Sequence, residues 1–256
     1  MKINTLLQTS ALALATMTYN ISSYADDLTT AQKKSVSELI QIFKKNDVSM
    51  IAQKIEYPLL REAPIPNVKN SIDLKSRYDE VFDSKLIKRI ASSNINQWSS
   101  MGWRGIMLND GEIWFDGEKI TAVNYSSPAE KQRRQQLITE KKTGLHASLK
   151  AFKTPKLVFQ TSKHLVRIDE LNNGKYRYAA WKANQSQSSQ PDLILVNGKV
   201  KSEGSGGNHS YIFKRGHYTY TVYRNLIGSD DTPDVLLEVK QNAKVILEQN
   251  GKLIKD

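Results

Sequence analysis

The chain has 256 residues, of which 37 are Lys or Arg and 26 are Asp or Glu, and it contains no cysteine. The absence of cysteine excludes disulfides, thiolate zinc sites, iron–sulfur clusters and a cysteine nucleophile. The formal net charge of +11 favours anionic partners, although charge governs solubility and association and does not set the fold.

The first 25 residues have the pattern of a secretory signal peptide. Lys2 provides a positive start, an apolar segment runs from Leu6 to Met17, and Ser23-Tyr24-Ala25 provides a small-x-small cleavage site. The apolar segment is too short and too polar to span a membrane, and no cysteine is present to carry a lipid. We therefore expect cleavage after Ala25 and a soluble product, without an integral membrane segment, that is periplasmic or secreted. In that compartment the basic charge predicts an anionic glycan, a lipid head group or an acidic protein as partner, and no nucleic acid.

The first half of the chain after Ala25 combines helices with strands. Apolar residues at helical spacing predict helices over 30–44, 47–55 and 74–90, and a loop with two prolines lies at 61–67. Alternating residues and turn signals then predict three antiparallel strands over 103–108, 112–115 and 119–125. This order of elements predicts an α+β domain over residues 26–126.

A connecting helix is predicted over residues 127–153. Ser127, Pro128 and Glu130 form a capping-box pattern with proline at the first helical position, and Leu145 and Leu149 continue the apolar spacing. Basic side chains border the apolar stripe of this helix: Lys131, Arg133, Arg134, Lys141 and Lys142. A solvated helix face and a surface for acidic partners both remain open interpretations.

The sequence pattern changes at residue 154, because strand patterns and turn signals replace the helical spacing over residues 154–256. Eight strands are predicted, over 157–160, 165–171, 176–182, 192–196, 211–214, 218–224, 235–240 and 244–248. The sequence therefore predicts a mostly antiparallel all-β C-terminal domain. The fold class as a whole is α+β.

Helices followed by a run of antiparallel strands, within residues 28–125, resemble the NTF2-like fold. That resemblance implies a curved antiparallel sheet that wraps over the helices to make a cone. The superfamily includes enzymes, ligand carriers and non-catalytic binding domains, so the resemblance assigns no functional residue. The second half resembles no named family.

Aromatic and basic residues interleave along the strands of the second half and predict a ligand-binding platform. Its predicted members are Asn208, His209, Tyr211, Phe213, Arg215, His217, Tyr218 and Tyr220. Aromatic faces with neighbouring cations suit sugars or an acidic protein surface. The alternative is an ordinary sheet core with tyrosine hydroxyls at its rim.

No catalytic residue, metal site or cofactor site is predicted. The four histidines lack the spacing of a metal motif, and the string Gly204–Ser210 lacks the lysine and the helix of a phosphate loop. A wide hairpin connection explains this glycine-rich string better than an anion site does. Whether the protein is an enzyme stays open, although the missing motifs favour a protein that is not one.

The leading hypothesis is a non-catalytic periplasmic protein that binds an anionic envelope component or an acidic protein. One concrete form is an inhibitor or immunity protein that blocks a toxin or a cell-wall hydrolase. A hydrolase or transferase acting on an envelope polymer, with His209 near a cleft, is a second hypothesis. A third is a small-ligand carrier that uses the cavity of an NTF2-like cone.

Overall fold

The computed structural model describes residues 27–204 and 206–254, so the predicted signal peptide and its cleavage site after Ala25 lie outside the described residues. The described part confirms the α+β class, with a four-stranded sheet and a closed eight-stranded barrel. Within those ranges no helix is both long enough and apolar enough to cross a membrane.

From residue 27 onward, five α-helices precede the first sheet. They are α1 (Thr30–Lys45), α2 (Val48–Gln53), α3 (Ser71–Ser76), α4 (Tyr78–Val81) and α5 (Ser84–Ala91). Polar caps explain where four of them begin; for example, Thr29 and Gln32 form a capping box for α1, and Asp83 accepts from Leu86 N at the start of α5. Asp83 therefore interrupts the helix predicted over 74–90.

The first sheet is antiparallel, in chain order. Its strands are β1 (Trp98–Ser100), β2 (Ile106–Leu108), β3 (Ile113–Phe115) and β4 (Ile120–Val123). The three predicted strands are present, but the first, predicted over 103–108, begins only at Ile106 because Gly102–Arg104 form a 3₁₀ helix; β1 adds a fourth strand. Phe43, Phe82 and Phe115 fill the space between helices and sheet. The resemblance to the NTF2-like fold stays a prediction.

Helix α6 (Pro128–Thr143) follows, and the prediction of a helix over 127–153 is wrong beyond residue 143. Gly144 ends the helix, and His146 Nδ1 accepts from Ser148 N to begin a short 3₁₀ turn. We call residues 144–152 the linker segment. Its apolar side chains, Leu149 among them, pack on the barrel around Trp181. This burial explains why apolar residues recur here although the segment is not an α-helix.

All eight strands predicted for the second half are present, and they close into an antiparallel up-and-down barrel. The strands are β5 (Thr154–Gln160), β6 (His164–Glu170), β7 (Tyr176–Lys182), β8 (Leu193–Ser202), β9 (His209–Arg215), β10 (Tyr218–Arg224), β11 (Val235–Gln241) and β12 (Lys244–Leu253). Phe159, Tyr178 and Phe213 fill the interior. Gly198 allows this packing, because a Cβ there would overlap the Phe213 ring.

Two seams of the barrel are only partly hydrogen-bonded. β8 pairs with β9 through residues 199–202 and 209–212, and β12 meets β5 at its end, through Lys252, Leu253 and the bond from Ile254 N to Val158 O. The ends of the β9–β10 and β11–β12 hairpins therefore extend beyond their bonded neighbours on both sides. We call residues 213–220 and 239–247 the hairpin tips.

Candidate anion-binding site

The structure does not bring the eight predicted site residues together. Asn208 and His209 lie at the start of β9, whereas Arg215, His217 and Tyr218 lie at or beyond its end. A seven-residue strand at about 3.4 Å per residue separates these groups by about 20 Å. Two different ends of the barrel are therefore involved.

Two of the predicted residues belong to the barrel core. Tyr211 and Phe213 are buried, with 6% and 1% of their surfaces exposed. Burial, followed by the nearby Tyr176, raises the pKa of Tyr211 above its ordinary value. These two side chains cannot meet a partner on the surface, and for them the core interpretation is the correct one.

Asn208 joins two loops at its end of the barrel. Its Oδ1 accepts from Leu226 N at 2.7 Å and Ile227 N at 3.0 Å, and its Nδ2 donates to Ile227 O at 2.7 Å. The glycine-rich string is thus a hairpin connection held against the neighbouring loop, as expected.

The opposite end of the barrel carries two tight turns that fix each other. In the β9–β10 turn, Gly216 adopts φ +56°, and in the β11–β12 turn Asn242 and Ala243 adopt φ +47° and +71°. Such positive φ values belong to the two-residue hairpin turns that match strand twist. Asn242 N donates to His217 O at 3.0 Å, so the two hairpin tips are bonded to one another.

A row of four side chains crosses the hairpin tips. Register places Tyr218 opposite both Arg215 and Gln241, and Gln241 opposite Lys244. Directly opposed residues share a face of a sheet. The face is the one that carries Phe213 deeper in the barrel, because side chains alternate along β9. We call this set, Arg215, Tyr218, Gln241 and Lys244, the cationic row.

The cationic row is accessible and carries no negative charge. Tyr218 is 37% exposed, and the other three members are exposed as well. The hairpin tips contain no Asp or Glu, and within the described ranges neither Arg215 nor Lys244 forms an ion pair. Three strand spacings separate these two cations by about 14 Å. An aromatic ring between two unpaired cations suits an extended anionic surface.

Tyr220 connects the row to the barrel interior. It is partly buried and its ring lies 5.9 Å from that of Tyr178, which in turn lies 5.6 Å from Phe213. This column of rings anchors the strand that presents Tyr218, so the row is held on a rigid support. His217 lies exposed in the adjoining turn.

Two of the basic residues of α6, Arg133 and Arg134, have partners within the molecule. Arg134 Nε donates to Ala63 O at 2.9 Å and its guanidinium pairs with Glu62, while Arg133 lies 3.9 Å from Glu80. These contacts attach α6 to the first half of the chain. The observations favour a structural role for Arg133 and Arg134.

A polar pocket of about 560 Å³ lies beside the first sheet. Arg89 forms an ion pair with Glu112 there, and the Tyr125 hydroxyl donates to Asp83 at 2.7 Å. Burial and this bond to Asp83 raise the pKa of Tyr125 to about 12. The other charged residues of its lining, Asp110 and Lys131, have opposite signs, so the lining carries no net charge, whereas the cationic row carries two positive charges.

The histidines do not assemble a metal or acid–base site. In the described ranges no group of three His, Asp or Glu residues could hold a metal ion. His209 Nδ1 lies 2.8 Å from Gly207 O and its ring contacts Tyr211, and in the described part of the chain no hydrogen bond or ion pair joins its side chain to a carboxylate. No described geometry favours His209 as an acid or a base.

Sequence reasoning missed Gln241 and Lys244. The two hairpin ends, Arg215-Gly-His-Tyr218 and Gln241-Asn-Ala-Lys244, have equal length and each carries one cation. This similarity could have pointed to Gln241 and Lys244, but only if the pairing of β10 with β11 had been known. No family model, curated protein or solved structure matches the chain.

Proposed function

We propose that this chain is a non-catalytic binding protein of the bacterial periplasm that recognises an anionic partner through the cationic row. The observation that carries the proposal is an exposed Tyr218 between the unpaired cations Arg215 and Lys244. The predicted signal peptide supports the location, and the excess of basic residues supports the sign of the partner's charge.

The shape of the site favours a polymer or a protein surface over a small enclosed ligand. Small-molecule sites are concave and bury most of their ligand, whereas the row lies across exposed hairpin tips that extend beyond the hydrogen-bonded parts of the neighbouring seams. An acidic glycan or an acidic protein can span about 14 Å, the separation of the two cations. Inhibition of a toxin or a cell-wall hydrolase is one form of such binding.

The test compares polyanion binding by the mature chain and a double variant, Arg215→Glu with Lys244→Glu. Each is loaded on immobilised heparin and on immobilised lipopolysaccharide, and the salt concentration at elution is measured. We expect the variant to elute at clearly lower salt, since two attractive contacts become repulsive. Pull-down of periplasmic proteins with both chains then separates a protein partner from a glycan.

The matched control is Lys33→Glu with Lys34→Glu, on exposed positions of α1. This control changes the net charge by the same amount, at positions that are far from the hairpin tips in the sequence. An equal loss of binding in the control would show that net charge alone is responsible, and the proposal would fail. Tyr218→Ser should weaken binding while Tyr218→Phe keeps it, because the aromatic face makes the contact.

A further inference from the structure

One edge of β12 is not covered by a neighbouring strand over most of its length. β11 pairs with β12 over residues 244–251, whereas β5 meets β12 only from Lys252 onward. β5 ends at Gln160, where the chain turns back into β6. Over residues 244–250 no backbone hydrogen bond from any described residue reaches the β5 side of β12. We call residues 244–250 the open edge; at about 3.4 Å per residue it is about 24 Å long.

The backbone groups of Glu248 point out of this edge. Ile254 N donates to Val158 O at 3.0 Å, on the side of β5, and the backbone groups of every second residue in a strand point the same way. The N–H and C=O groups of Glu248 and Asn250 therefore face away from β11, and within the described ranges they have no hydrogen-bond partner in the protein. Such a row of free donors and acceptors is a template for one more strand.

The side chains of the open edge define which strand fits there. The register shifts between Val239 and Lys240, so β12 carries an extra residue, and the side chains of Val245 and Ile246 are 44% and 50% exposed. Exposed apolar side chains on an edge strand favour apolar neighbours on the added strand. Lys244, at the start of the edge, belongs to the cationic row and forms no ion pair in the described part of the chain. It therefore favours an acidic side chain opposite to it.

We propose that the anionic partner is a protein that adds one extended segment to the open edge. The segment carries an acidic residue beside Lys244 and apolar residues beside Val245 and Ile246. This inference rests on the proposed function, because it names the class of partner that the cationic row meets. A strand matches the free groups of Glu248 and Asn250 with donors and acceptors at the same spacing, whereas a polyanionic glycan meets only the cations. Two copies of this basic chain repel each other, which disfavours a second copy as the occupant.

Binding of a blocked heptapeptide, acetyl-Asp-Val-Thr-Val-Thr-Val-Asp-amide, to the mature chain tests the proposal. In a strand its valines share one face and its aspartates the other, as the successive residues Val245 and Lys244 do on β12. We expect one-to-one binding in a nuclear magnetic resonance titration, with changed amide shifts over residues 244–250. Amide exchange should slow at Glu248 and Asn250, because their free N–H groups gain acceptors.

Two N-methylated forms of the peptide test whether its backbone makes the contact. One form is methylated at the odd residues and the other at the even residues, and both keep every side chain and every charge. One of the two should lose affinity at least about tenfold, because its N–H donors toward β12 are gone, and the other should keep its affinity. This comparison leaves the protein unchanged, so protein folding does not affect it.

A proline variant blocks the edge without removing a hydrogen bond inside the barrel. Glu248→Pro removes an N–H group that points out of the sheet, and edge strands tolerate proline at such positions. It should weaken peptide binding at least about tenfold. Glu248→Thr is the matched control, because it removes the same charge but keeps the N–H group, and it should bind as the wild type does. Far-ultraviolet circular dichroism checks that both variants are folded.

The outcomes separate this inference from the proposed function. No binding of the parent peptide, equal binding by both N-methylated forms and the parent, or equal binding by the two Glu248 variants would overturn strand addition. The proposed function would still stand if Arg215→Glu with Lys244→Glu weakens binding to heparin, and it fails if that double variant binds heparin as the wild type does. A dimer in light scattering that Glu248→Pro abolishes would make a second copy the occupant and would also overturn the proposal.

Discussion

Two regions of the barrel use basic residues in opposite ways. Beneath the linker segment, Arg167 and Arg177 are almost fully buried and share Asp169, which accepts from Arg167 Nε at 3.0 Å and from Arg177 Nη2 at 2.7 Å. At the hairpin tips, Arg215 and Lys244 are exposed and form no ion pair within the described ranges. The sequence alone does not distinguish these buried, paired cations from the exposed ones.

The difference shows that pairing, and not net charge, indicates which cations are available to a partner. Residues 27–126 contain 14 Lys and Arg against 13 Asp and Glu, whereas residues 127–256 contain 22 against 12. Much of the second group is engaged inside the molecule: Arg177 also donates to Leu149 O at 2.6 Å and Ala151 O at 3.1 Å. Those bonds attach the linker segment to the barrel. Arg215 and Lys244 at the tips form no comparable bonds within the described residues.

Asp169→Ala should have the largest effect on stability. It leaves two buried guanidinium groups without their shared acceptor, and breaking a buried ion pair in this way costs about 3–5 kcal/mol. Urea denaturation of the full chain measures this change. Asp230→Ala, on an exposed loop residue, is the control and should stay within about 0.5 kcal/mol of the wild type.

Neutralising Arg215 and Lys244 tests, again by urea denaturation, how much the exposed cations contribute to stability. Arg215→Gln with Lys244→Gln should change the free energy of unfolding by no more than about 0.5 kcal/mol, because exposed unpaired charges contribute little. A loss of stability comparable to that of Asp169→Ala would mean that the tip cations have a structural role, and it would contradict the distinction between buried and exposed cations.

Gly198→Ala should destabilise the barrel by about 1–3 kcal/mol, the usual cost of overpacking. The added methyl group would overlap the Phe213 ring. Phe213→Leu, added to Gly198→Ala, should recover part of the loss because the smaller side chain makes room. If the double variant shows only the sum of the two single losses, contact between these positions is not the cause.

The strands of the barrel were predictable, but its closure was not. Alternation and turn residues mark each strand locally, whereas closure depends on pairing Lys252 and Leu253 with Gln160 and Phe159, more than 90 residues earlier. So short a stretch of pairing leaves no pattern in a single sequence. Gln241 and Lys244 could not be predicted for the same reason, because only strand pairing places them in the cationic row.

The end of α6 shows how a correct local pattern can mislead. Gly144 after Lys141 and Lys142 is a helix-end signal, but Leu145 and Leu149 continue the apolar spacing and suggested a longer helix. Those leucines are buried against the barrel around Trp181. Periodicity predicted that they would be buried, but it could not tell a helix packed on its own neighbours from an irregular segment packed on a distant sheet.

Asn208→Ala should produce a smaller and more local effect. Two backbone N–H groups, those of Leu226 and Ile227, lose their acceptor, which costs about 1–2 kcal/mol for partly exposed groups. Hydrogen exchange should accelerate at residues 226–227 and remain unchanged at the hairpin tips. Asn172→Ala, in an exposed turn, is the control; uniform acceleration in both variants would argue against a loop clamp.

Glu170 lies between the two extremes, because it is mostly buried but pairs with two partly exposed lysines. Its hydrogen bond to Lys156, aided by Lys153, lowers the pKa of this carboxyl below its ordinary 4.5. A lowered pKa in the folded state means that the carboxylate stabilises the fold above about pH 4.5 and that this contribution disappears as the pH falls through the folded-state value. Glu170→Gln removes the contribution at every pH.

The wild type should therefore lose more stability than Glu170→Gln between pH 6 and pH 3. Because Lys153 is 60% exposed, the difference should stay near the 0.2–1 kcal/mol of solvent-exposed pairs. Urea denaturation at both pH values measures it, with Glu118→Gln as the control for an exposed acid. Parallel losses in wild type and Glu170→Gln would place Glu170 with the exposed charges of the tips, whereas a difference of several kcal/mol would place it with the buried pairs beneath the linker segment.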